Sequence, residues 1–408
     1  MRNRMIGRSG DRVIEMLRSI TRWLVHPFTR LFLAATLTLC AVPADRSELT
    51  FPRDHGAHPD SALEWWYYTG HLRGAGGRPY GFELTFFRAR ELSLAHFAWS
   101  DIARKEFRYE EKAHLSLPGI ASAAVGRLSV VNEDWSVEES GGRHRLHAAG
   151  SGWDLSLALV PVKPPVLHGE KGLSRKGPGE NDYSHYVSIP RFSVTGRMRR
   201  ANAEESLAGT AWFDHEWGPG GSPADLVGWD WFALQLDDGS DLMLYRIRGR
   251  GGAATPYSSG TFIPAAGVPL AIAWKEVTLE ETASWTSPRS GARYPARWKL
   301  GVAPLGLAVT VTPLLPDQEL VTERSTGVTY WEGACRVEGT RQGRPIAGRA
   351  YAELTGYAGR DVPPSPAITR PASVSPRAGT GSPSPASRAS RETSSRSRGP
   401  GTRRESGS

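Results

Sequence analysis

This chain of 408 residues has few cysteines, little helical periodicity and no long apolar run. Its two cysteines are Cys40 and Cys335, and removal of an N-terminal segment would leave only the second, so no disulfide framework is expected. Cys335 stands in a strand-like stretch and is predicted to be a small buried residue rather than a nucleophile. The apolar run at 31–44 is too short to span a bilayer comfortably. These scarcities argue against a disulfide-stapled domain and against a bundle of membrane helices.

The net charge of +8 does not come from the central part of the chain. Residues 1–44 hold seven arginines against two acidic residues, and residues 361–408 hold eight arginines against three. The residues between these ends are therefore slightly acidic. A near-neutral folded region excludes nucleic acid as an expected partner.

Both ends differ in composition from the rest of the chain. Residues 1–44 combine an arginine-rich stretch with the run LFLAATLTLCAVPA, which predicts a signal peptide or an N-terminal membrane anchor. We therefore expect an exported protein, periplasmic or secreted, that touches a membrane only through an uncleaved N-terminus. Residues 361–408 are rich in proline, serine and arginine and contain no aromatic residue, which predicts a disordered tail.

The region between the two ends has the pattern of an all-β protein. Alternating aromatic-rich runs, such as EWWYYTGHLRG and RPYGFELTFFRAR, are separated by glycine-containing turns. Many strands at regular spacing over about 300 residues predict two antiparallel barrels or sandwiches. The stretch KPPVLHGEKGLSRKGPGENDY at 163–183 is too long for a tight hairpin and is predicted to be a lid or a site loop.

The stretch GTAWFDHEWG holds the densest group of chemically useful side chains. On a strand, Asp214 and Glu216 share one face, whereas His215 and Trp217 share the other. Pro219 stands where a helical HExxH zinc motif requires its second histidine, so that motif fails and no metal is predicted. Two interpretations stay open. His215 is a general acid or base in an aromatic wall, or it is a core histidine while the carboxylates cap turns or face solvent.

The hairpin formed by GWDWFALQL and DLMLYRIRG adds a further acid. A two-residue loop of Asp238 and Gly239 would pair Asp230 with Ile247 and would put Asp230 and Tyr245 on one side of the sheet, in an apolar setting. An aspartate there would have a raised pKa and would suit a proton donor. Equally, Asp230 would bond a backbone N–H at the end of the sheet.

The other face of the same hairpin would be aromatic. Trp231 would lie beside Arg246 and Trp229 beside Arg248, which describes a cation–π ladder. The assignment depends on the register, because a slip of one residue exchanges the two faces.

Five stretches, taken in order, resemble the AttH-like family of exported bacterial proteins, which is related to the carotenoid 1,2-hydratases. They are LEWWYYTGHL, LHGEKGLSRKG, GTAWFDHEWG, GWDWFALQLDDGSDLMLYRIR and YAELTGYAG. The resemblance covers residues 48–360 and implies two tandem lipocalin-like, calycin-type antiparallel β-barrel domains with a pocket for an apolar molecule. We assign these domains to residues 45–215 and 216–360.

The resemblance also implies a chemistry. The hydratases add water to a terminal C=C bond without a cofactor, and their proposed residues are a His-x-Trp pair and a Tyr-x-Asp pair. His215 and Trp217 match the first pair and Tyr245 matches the tyrosine, whereas Ile247 stands at the aspartate position. Asp230 would substitute for that aspartate if the predicted register holds.

Glu64 also recurs in the resemblance, just before four aromatic residues. It is either a site group or the first residue of a barrel strand, in which Trp65 and Trp66 close the barrel floor. The catalytic candidates are His215, Trp217, Tyr245, Asp230, Asp214 and Glu216. The ligand-binding candidates are Glu64, Trp65, Trp229 and Trp231.

Three functions follow as expectations. The first is a cofactor-free hydro-lyase or hydrolase acting on a lipophilic, isoprenoid-like molecule, and the second is a periplasmic carrier of such a ligand. The third is a structural envelope protein. An empty barrel with converging histidine and aspartate would favour the first, an empty barrel without them the second, and a filled barrel the third. Association with an envelope ABC transporter is also expected, because many family genes lie near ABC permeases.

Overall fold

The computed structural model describes residues 48–200, 203–221, 223 and 225–359. The predicted N-terminal signal or anchor and the predicted tail lie outside these residues. The described chain is almost entirely β, and its helices are single 3-10 turns at Arg53–His55, Ala75–Gly77, Trp274–Glu276 and Ala303–Leu305. None of the helices in this part of the chain has the length and apolar character needed to cross a membrane.

The strands form two sheets, as alternating aromatic and β-branched residues favour. The first sheet contains β1 Leu63–Arg73, β2 Pro79–Ala89, β3 Leu92–Asp101, β4 Glu106–Leu115, β5 Ala121–Ala123, β6 Ser129–Asn132, β7 Trp135–Ser140, β8 Arg143–Gly150, β9 Trp153–Pro161, β10 Val166–Leu167, β11 Leu173–Arg175, β12 Tyr183–Arg200 and β13 Ala203–Gly218. The second sheet contains β14 Gly228–Leu236, β15 Asp241–Arg248, β16 Ser259–Ile263, β17 Leu270–Ala273, β18 Val277–Thr286, β19 Arg293–Val302, β20 Leu307–Pro313, β21 Glu319–Val321, β22 Thr329–Arg341 and β23 Arg344–Thr355.

The first sheet curls into a nearly closed antiparallel barrel. Its order is β4-β3-β2-β1-β13-β12-β9-β8-β7-β6-β5, and the short strands β10 and β11 pair with β12. The Asn132 side-chain amide on β6 donates to the Ser93 carbonyl on β3 at 3.1 Å, which ties the two ends of the sheet together. The predicted site loop at 163–183 contains β10 and β11.

The second sheet forms a half-barrel. Its order is β17-β16-β15-β14-β23-β22-β20-β19-β18, and β21 pairs with β22. Two barrel-like, lipocalin-like domains therefore follow one another along the chain, and the predicted fold class is confirmed. The chain passes from the first sheet to the second between Gly218 and Gly228. This is a few residues after the boundary that we assigned, because β13 continues through position 215 as one strand.

Side chains fill the interiors of both barrels. In the first, the fully buried aromatic residues include Trp66, Phe82, Trp135 and Phe213. In the second, the corresponding core includes Phe232, Trp298 and Trp331, together with Cys335, which is completely buried. These are the strand residues that alternation turns inward.

The outward-facing residues of the two barrels also meet and form a third buried layer, which we call the seam. β1, β2, β12 and β13 supply one side of the seam, and β14, β15, β22 and β23 supply the other. The barrels approach closely here, because a Cβ atom added at Gly81 would lie 2.7 Å from the Cβ of Ala334. The apolar part of the seam consists of Tyr67, Val166, Tyr186, Trp212, Trp231, Ala233, Met243, Tyr245, Ile247, Ile263, Ala334 and Tyr351.

The predicted register of the β14–β15 hairpin is wrong by one residue. Asp230 pairs with Arg246, and Trp231 pairs with Tyr245. The loop has three residues rather than two: the Leu236 N–H donates to the Ser240 carbonyl at 2.9 Å. Gly239 takes a left-handed conformation with φ of 82°, as a three-residue hairpin with a bulge requires. The slip moves Asp230 into the second barrel and turns Trp231 and Tyr245 toward the seam.

Candidate functional site

The two faces of β13 lead into different compartments, as the alternation predicted. Phe213, His215 and Trp217 point into the first barrel. Asp214 and Glu216 point into the seam, where they meet groups from β12 and from the site loop. Consecutive residues thus belong to two distinct polar groups.

At the end of the first barrel, the carboxylate of Glu64 lies within hydrogen-bonding distance of two imidazoles and one guanidinium. Glu64 Oε1 lies 3.0 Å from His215 Nε2 and 2.8 Å from His58 Nδ1. The Arg88 Nε donates to Glu64 Oε2 at 3.0 Å. Burial opposes ionisation of Glu64, but the hydrogen bonds from His215 and His58 outweigh it and lower its pKa to about 2. Glu64 is therefore a buried carboxylate.

Aromatic rings enclose this group. His215 stacks on Trp66 with ring centroids 5.0 Å apart and lies 4.5 Å from Trp217. The His58 ring lies parallel to Trp217 at 3.9 Å. Burial lowers the pKa of His215, and the Glu64 carboxylate only partly offsets this effect. The aromatic wall predicted around His215 is present, while the Trp66 indole donates to the His55 carbonyl at 2.9 Å and closes the barrel end.

The seam holds the second group, which is centred on Asp214. The Tyr186 hydroxyl donates to Asp214 Oδ2 at 2.6 Å and the Trp212 indole donates to Oδ1 at 2.6 Å. The Ser188 hydroxyl also donates to Oδ1. Burial raises the pKa of Asp214 to about 7, although these three donors oppose the shift.

Two hydrogen-bonded chains connect Asp214 to the second barrel. In one, the Trp231 indole donates to the Tyr186 hydroxyl at 2.9 Å. In the other, His168 lies between Ser188 and Thr261, with its Nε2 2.6 Å from the serine oxygen and its Nδ1 2.8 Å from the threonine oxygen. Because Ser188 donates to Asp214, the consistent assignment has His168 donating from Nε2 and accepting at Nδ1. Burial lowers the pKa of His168 to about 3, so this imidazole is neutral.

An ion pair lies beside this acid. Lys176 Nζ is 2.9 Å from Glu216 Oε1 and stands 4.4 Å from the centre of the Tyr245 ring. The Tyr245 hydroxyl lies 2.9 Å from the Ser174 hydroxyl and accepts from Ser259 at 2.8 Å. His168, Ser174 and Lys176 all come from the site loop, so that loop does supply the seam with polar groups.

Three further seam carboxyl groups were not singled out from the sequence. Glu332 and Glu353 are cross-strand neighbours on β22 and β23, and Glu83 approaches from β2. The Tyr67 hydroxyl donates to Glu332 at 2.9 Å. Burial raises the pKa of Glu353 to about 7, although a hydrogen bond from Trp229 opposes it. Burial, together with neighbouring carboxylates, raises the pKa values of Glu83 and Glu332 well above their usual range.

Asp230 is not a substitute proton donor at this site. It lies inside the second barrel, where Arg248 Nε donates to it at 3.1 Å and Arg246 Nε at 2.6 Å. The Tyr357 hydroxyl donates to it at 2.9 Å. The predicted placement across from Ile247 is wrong because of the hairpin register, whereas the predicted direction of the pKa is found: burial raises the pKa of Asp230, although Arg246 and Arg248 oppose the shift.

The predicted cation–π ladder is also absent from the described contacts of this hairpin. Arg248 lies over Tyr357 at 4.0 Å, on the barrel side, rather than over Trp229. Trp229 is 37% exposed at the margin of the seam, and Trp65 packs half-buried against the same aromatic layer. Of the candidates, the seam thus unites Asp214, Glu216, Tyr245, Trp231 and Trp65, with Trp229 at its margin. The barrel end unites Glu64, His215 and Trp217.

Comparison with known proteins agrees with this architecture. The family model described as AttH-like matches residues 42–357. The chain belongs to the AttH-like family. The crystal structure of the AttH protein from Nitrosomonas europaea is 35% identical, covers 80% of this chain and 99% of its own, and superposes with a TM-score of 0.71. Kievitone hydratase from Nectria haematococca is 16% identical, covers 76% of this chain and 94% of its own, and has a TM-score of 0.62, which shows a shared fold. No curated protein matches this AttH-like chain.

Proposed function

We propose that this AttH-like protein is a cofactor-free acid–base enzyme of hydro-lyase or hydrolase type, acting on a lipophilic small molecule at the seam. One observation carries the proposal. Asp214 lies among aromatic rings, held by three hydrogen-bond donors, next to the Lys176–Glu216 ion pair. A positioned acid in a water-poor aromatic environment is what protonation of a weakly basic carbon or carbonyl requires.

In a hydration, Asp214 would donate its proton to one carbon of a double bond, and water would add to the other carbon. The proton that this water releases would restore the acid, so that the cycle needs no redox partner. The faces of Trp212 and Trp231 would stabilise positive charge that develops on the substrate. Lys176 and Glu216 would orient the water.

One observation supports the reaction class, and a second bears on where the site lies. The fold is shared with a protein whose name is kievitone hydratase, at 16% identity. Side chains pack the interiors of both barrels, which is the outcome that the sequence analysis assigned to a structural envelope protein; the enzyme proposal therefore depends on the polar groups of the seam and not on a barrel lumen.

A carrier of the same lipophilic molecule is the second candidate. Ile247, buried in the seam, occupies the position at which the resembling hydratases have an aspartate. A carrier would use the same aromatic layer without needing an acid. The two candidates differ in whether the bound molecule is changed.

We infer export to the periplasm or beyond from the signal-like residues 1–44, and association with an envelope ABC transporter as a partner. Cell fractionation of the full chain, with the run at 31–44 replaced by polar residues as the comparison, tests export directly. Retention of the unaltered full chain in the cytoplasm would contradict it.

The decisive experiment compares the full chain with the Asp214→Asn variant. Each protein is purified from the producing bacterium, examined by native mass spectrometry and incubated with an organic extract of the same cells. We expect one lipophilic molecule to be bound by both proteins and converted by the wild type about 100-fold faster or more, as loss of a general acid implies. Asp154→Asn, which alters a carboxylate on the outer surface of the first barrel, should convert the molecule normally.

Equal conversion by wild type and Asp214→Asn would refute the role of Asp214. A molecule bound unchanged by both proteins would make this chain a carrier. His215→Ala distinguishes the barrel end from the seam as the place of the reaction. This variant should be less stable, because it removes a contact at the barrel end, but the protein that remains folded should still convert the molecule.

A further inference from the structure

We propose that the end of the first barrel is a binding site for a divalent transition-metal ion, with His58, Glu64 and His215 as its protein ligands. The sequence predicted no metal, because Pro219 stands where the helical HExxH zinc motif requires its second histidine. Here the ligands come from three separate segments: the loop before β1, the beginning of β1 and the end of β13.

The geometry brings three donor atoms to one point. One nitrogen of His58, one of His215 and one oxygen of Glu64 all lie within 4.8 Å of one another. Both imidazoles address the same carboxylate oxygen, Oε1, at 2.8 and 3.0 Å. Ligands at about 2.0–2.2 Å from a tetrahedral ion are roughly 3.4 Å apart, so a slight opening of this triangle suffices.

The donor set selects the kind of ion. Two imidazole nitrogens and one carboxylate oxygen are the protein ligands of one class of catalytic zinc site, in which a water or substrate takes the fourth position. Hard ions such as calcium prefer oxygen ligands alone. The side chains of Glu64 and His215 are fully buried, whereas that of His58 is 23% exposed. The ion would therefore enter, and hold its water, on the side of His58.

The surroundings hold the ligands in place. The backbone N–H of His58 lies 3.1 Å from each Glu64 oxygen, and Arg88 Nε donates to Oε2, so the guanidinium holds the oxygen opposite to the one that both imidazoles face. The ring of His58 lies flat on Trp217. Such outer contacts orient metal ligands in known sites. The positive charge of Arg88 opposes a cation, so we expect a moderate affinity rather than the tightest class.

The same contacts would also exist in a metal-free hydrogen-bonded group, and metal binding separates the two cases. The full chain is stripped with a chelator, dialysed and titrated with Co²⁺, followed by its visible absorption, and with Zn²⁺, followed by elemental analysis after gel filtration. We expect one ion per chain, a tetrahedral Co²⁺ spectrum and a higher melting temperature with metal. His58→Ala should weaken binding at least tenfold and abolish the Co²⁺ spectrum.

The matched control is His114→Ala. His114 is 28% exposed on the outer surface of the first barrel and lies 3.3 Å from Glu133, so its loss should leave the affinity unchanged. If His58→Ala fails to fold, Glu64→Gln keeps the volume and removes the anionic ligand, and it should lose binding to the same degree. Equal binding by wild type and a folded ligand variant would overturn the proposal, as would the absence of a stoichiometric ion. Neither readout depends on turnover, so the result is independent of the function proposed for the seam.

Discussion

The end of the first barrel and the seam both contain buried carboxyl groups, but different kinds of hydrogen-bond partner offset the cost of burying them. Glu64 has a guanidinium and two imidazoles within hydrogen-bonding distance. In the seam, the hydrogen bonds to Asp214, Glu332 and Glu353 come from hydroxyl and indole groups, which carry no charge. The pKa of Glu64 is about 2, whereas those of Asp214 and Glu353 are about 7.

The difference shows that burial alone does not decide whether a carboxyl group is ionised. The hydrogen bonds and charges of His215 and His58 outweigh the desolvation of Glu64, whereas hydroxyl and indole donors offset that of Asp214 only in part. The barrel end therefore presents a fixed anion, which suits a cation. The seam presents carboxyl groups that exchange protons near neutral pH, which suits acid–base chemistry.

The largest expected effect follows from removing the compensation at the barrel end. Arg88→Met leaves Glu64 buried with histidine partners alone, and breaking a buried pair typically costs about 3–5 kcal/mol. We expect a loss of unfolding free energy toward the lower end of that range, because the Arg88 side chain is 13% exposed. Chemical denaturation measures it.

Arg145→Met is the matched control, since the Arg145 side chain is 52% exposed and lies 3.9 Å from Glu138. A surface pair of this kind contributes about 0–1 kcal/mol. Equal destabilisation by the two variants would show that Arg88 acts through packing rather than through Glu64.

The next effect is a dependence of stability on pH, and it concerns Glu353 in the seam. The pKa of Glu353 rises from 4.5 in the unfolded chain to about 7 in the folded one. Between these values the folded state binds the extra proton, so the contribution of Glu353 to stability is present below pH 4.5 and is lost as the pH rises to 7. The negative charges of Glu216, Asp214 and Asp230 strengthen the shift, whereas the hydrogen bond from Trp229 opposes it; Glu332 is the cross-strand neighbour of Glu353.

We therefore compare the unfolding free energies of Glu353→Gln and wild type at pH 5 and at pH 8. The difference should shift in favour of the variant by on the order of 3 kcal/mol as the pH rises between these values. Denaturation at a series of pH values measures this. Glu138→Gln, on the outer surface, should give a constant difference. A flat difference for Glu353→Gln would mean that the group is ionised in the folded seam, as Glu64 is in the barrel.

The structural features that could be predicted from the sequence are local ones. Alternation along a strand separated His215 and Trp217 from Asp214 and Glu216, because successive side chains always point to opposite faces. The family motifs indicated two barrels. The site loop was recognisable from its length, its glycines and its charges, and it does supply His168 and Lys176 to the seam.

The parts that were not predictable depend on distant pairings. Glu64 and His215 are 151 positions apart and meet only because β1 pairs with β13. Asp-Gly chemistry fits both a two-residue and a three-residue loop, so the β14–β15 register was undetermined, and Asp230 was misplaced. Glu332 and Glu353 alternate with apolar residues, as solvent-facing positions do, and only the packing of one barrel on the other buries them.

The smallest effect distinguishes two tyrosines within the seam. The Tyr67 hydroxyl donates to Glu332, whereas that of Tyr351 is buried without a hydrogen-bond partner among the residues that the structure describes. Tyr67→Phe should therefore cost about 1 kcal/mol, and Tyr351→Phe should be neutral or slightly stabilising, because a buried unpaired hydroxyl is already desolvated. Both rings keep their packing in the variants, so thermal unfolding isolates the hydroxyl groups. A loss for Tyr351→Phe that equals the loss for Tyr67→Phe would show that this hydroxyl has a partner in solution, and the seam would then contain a further bound polar group beside Glu83 and Glu332.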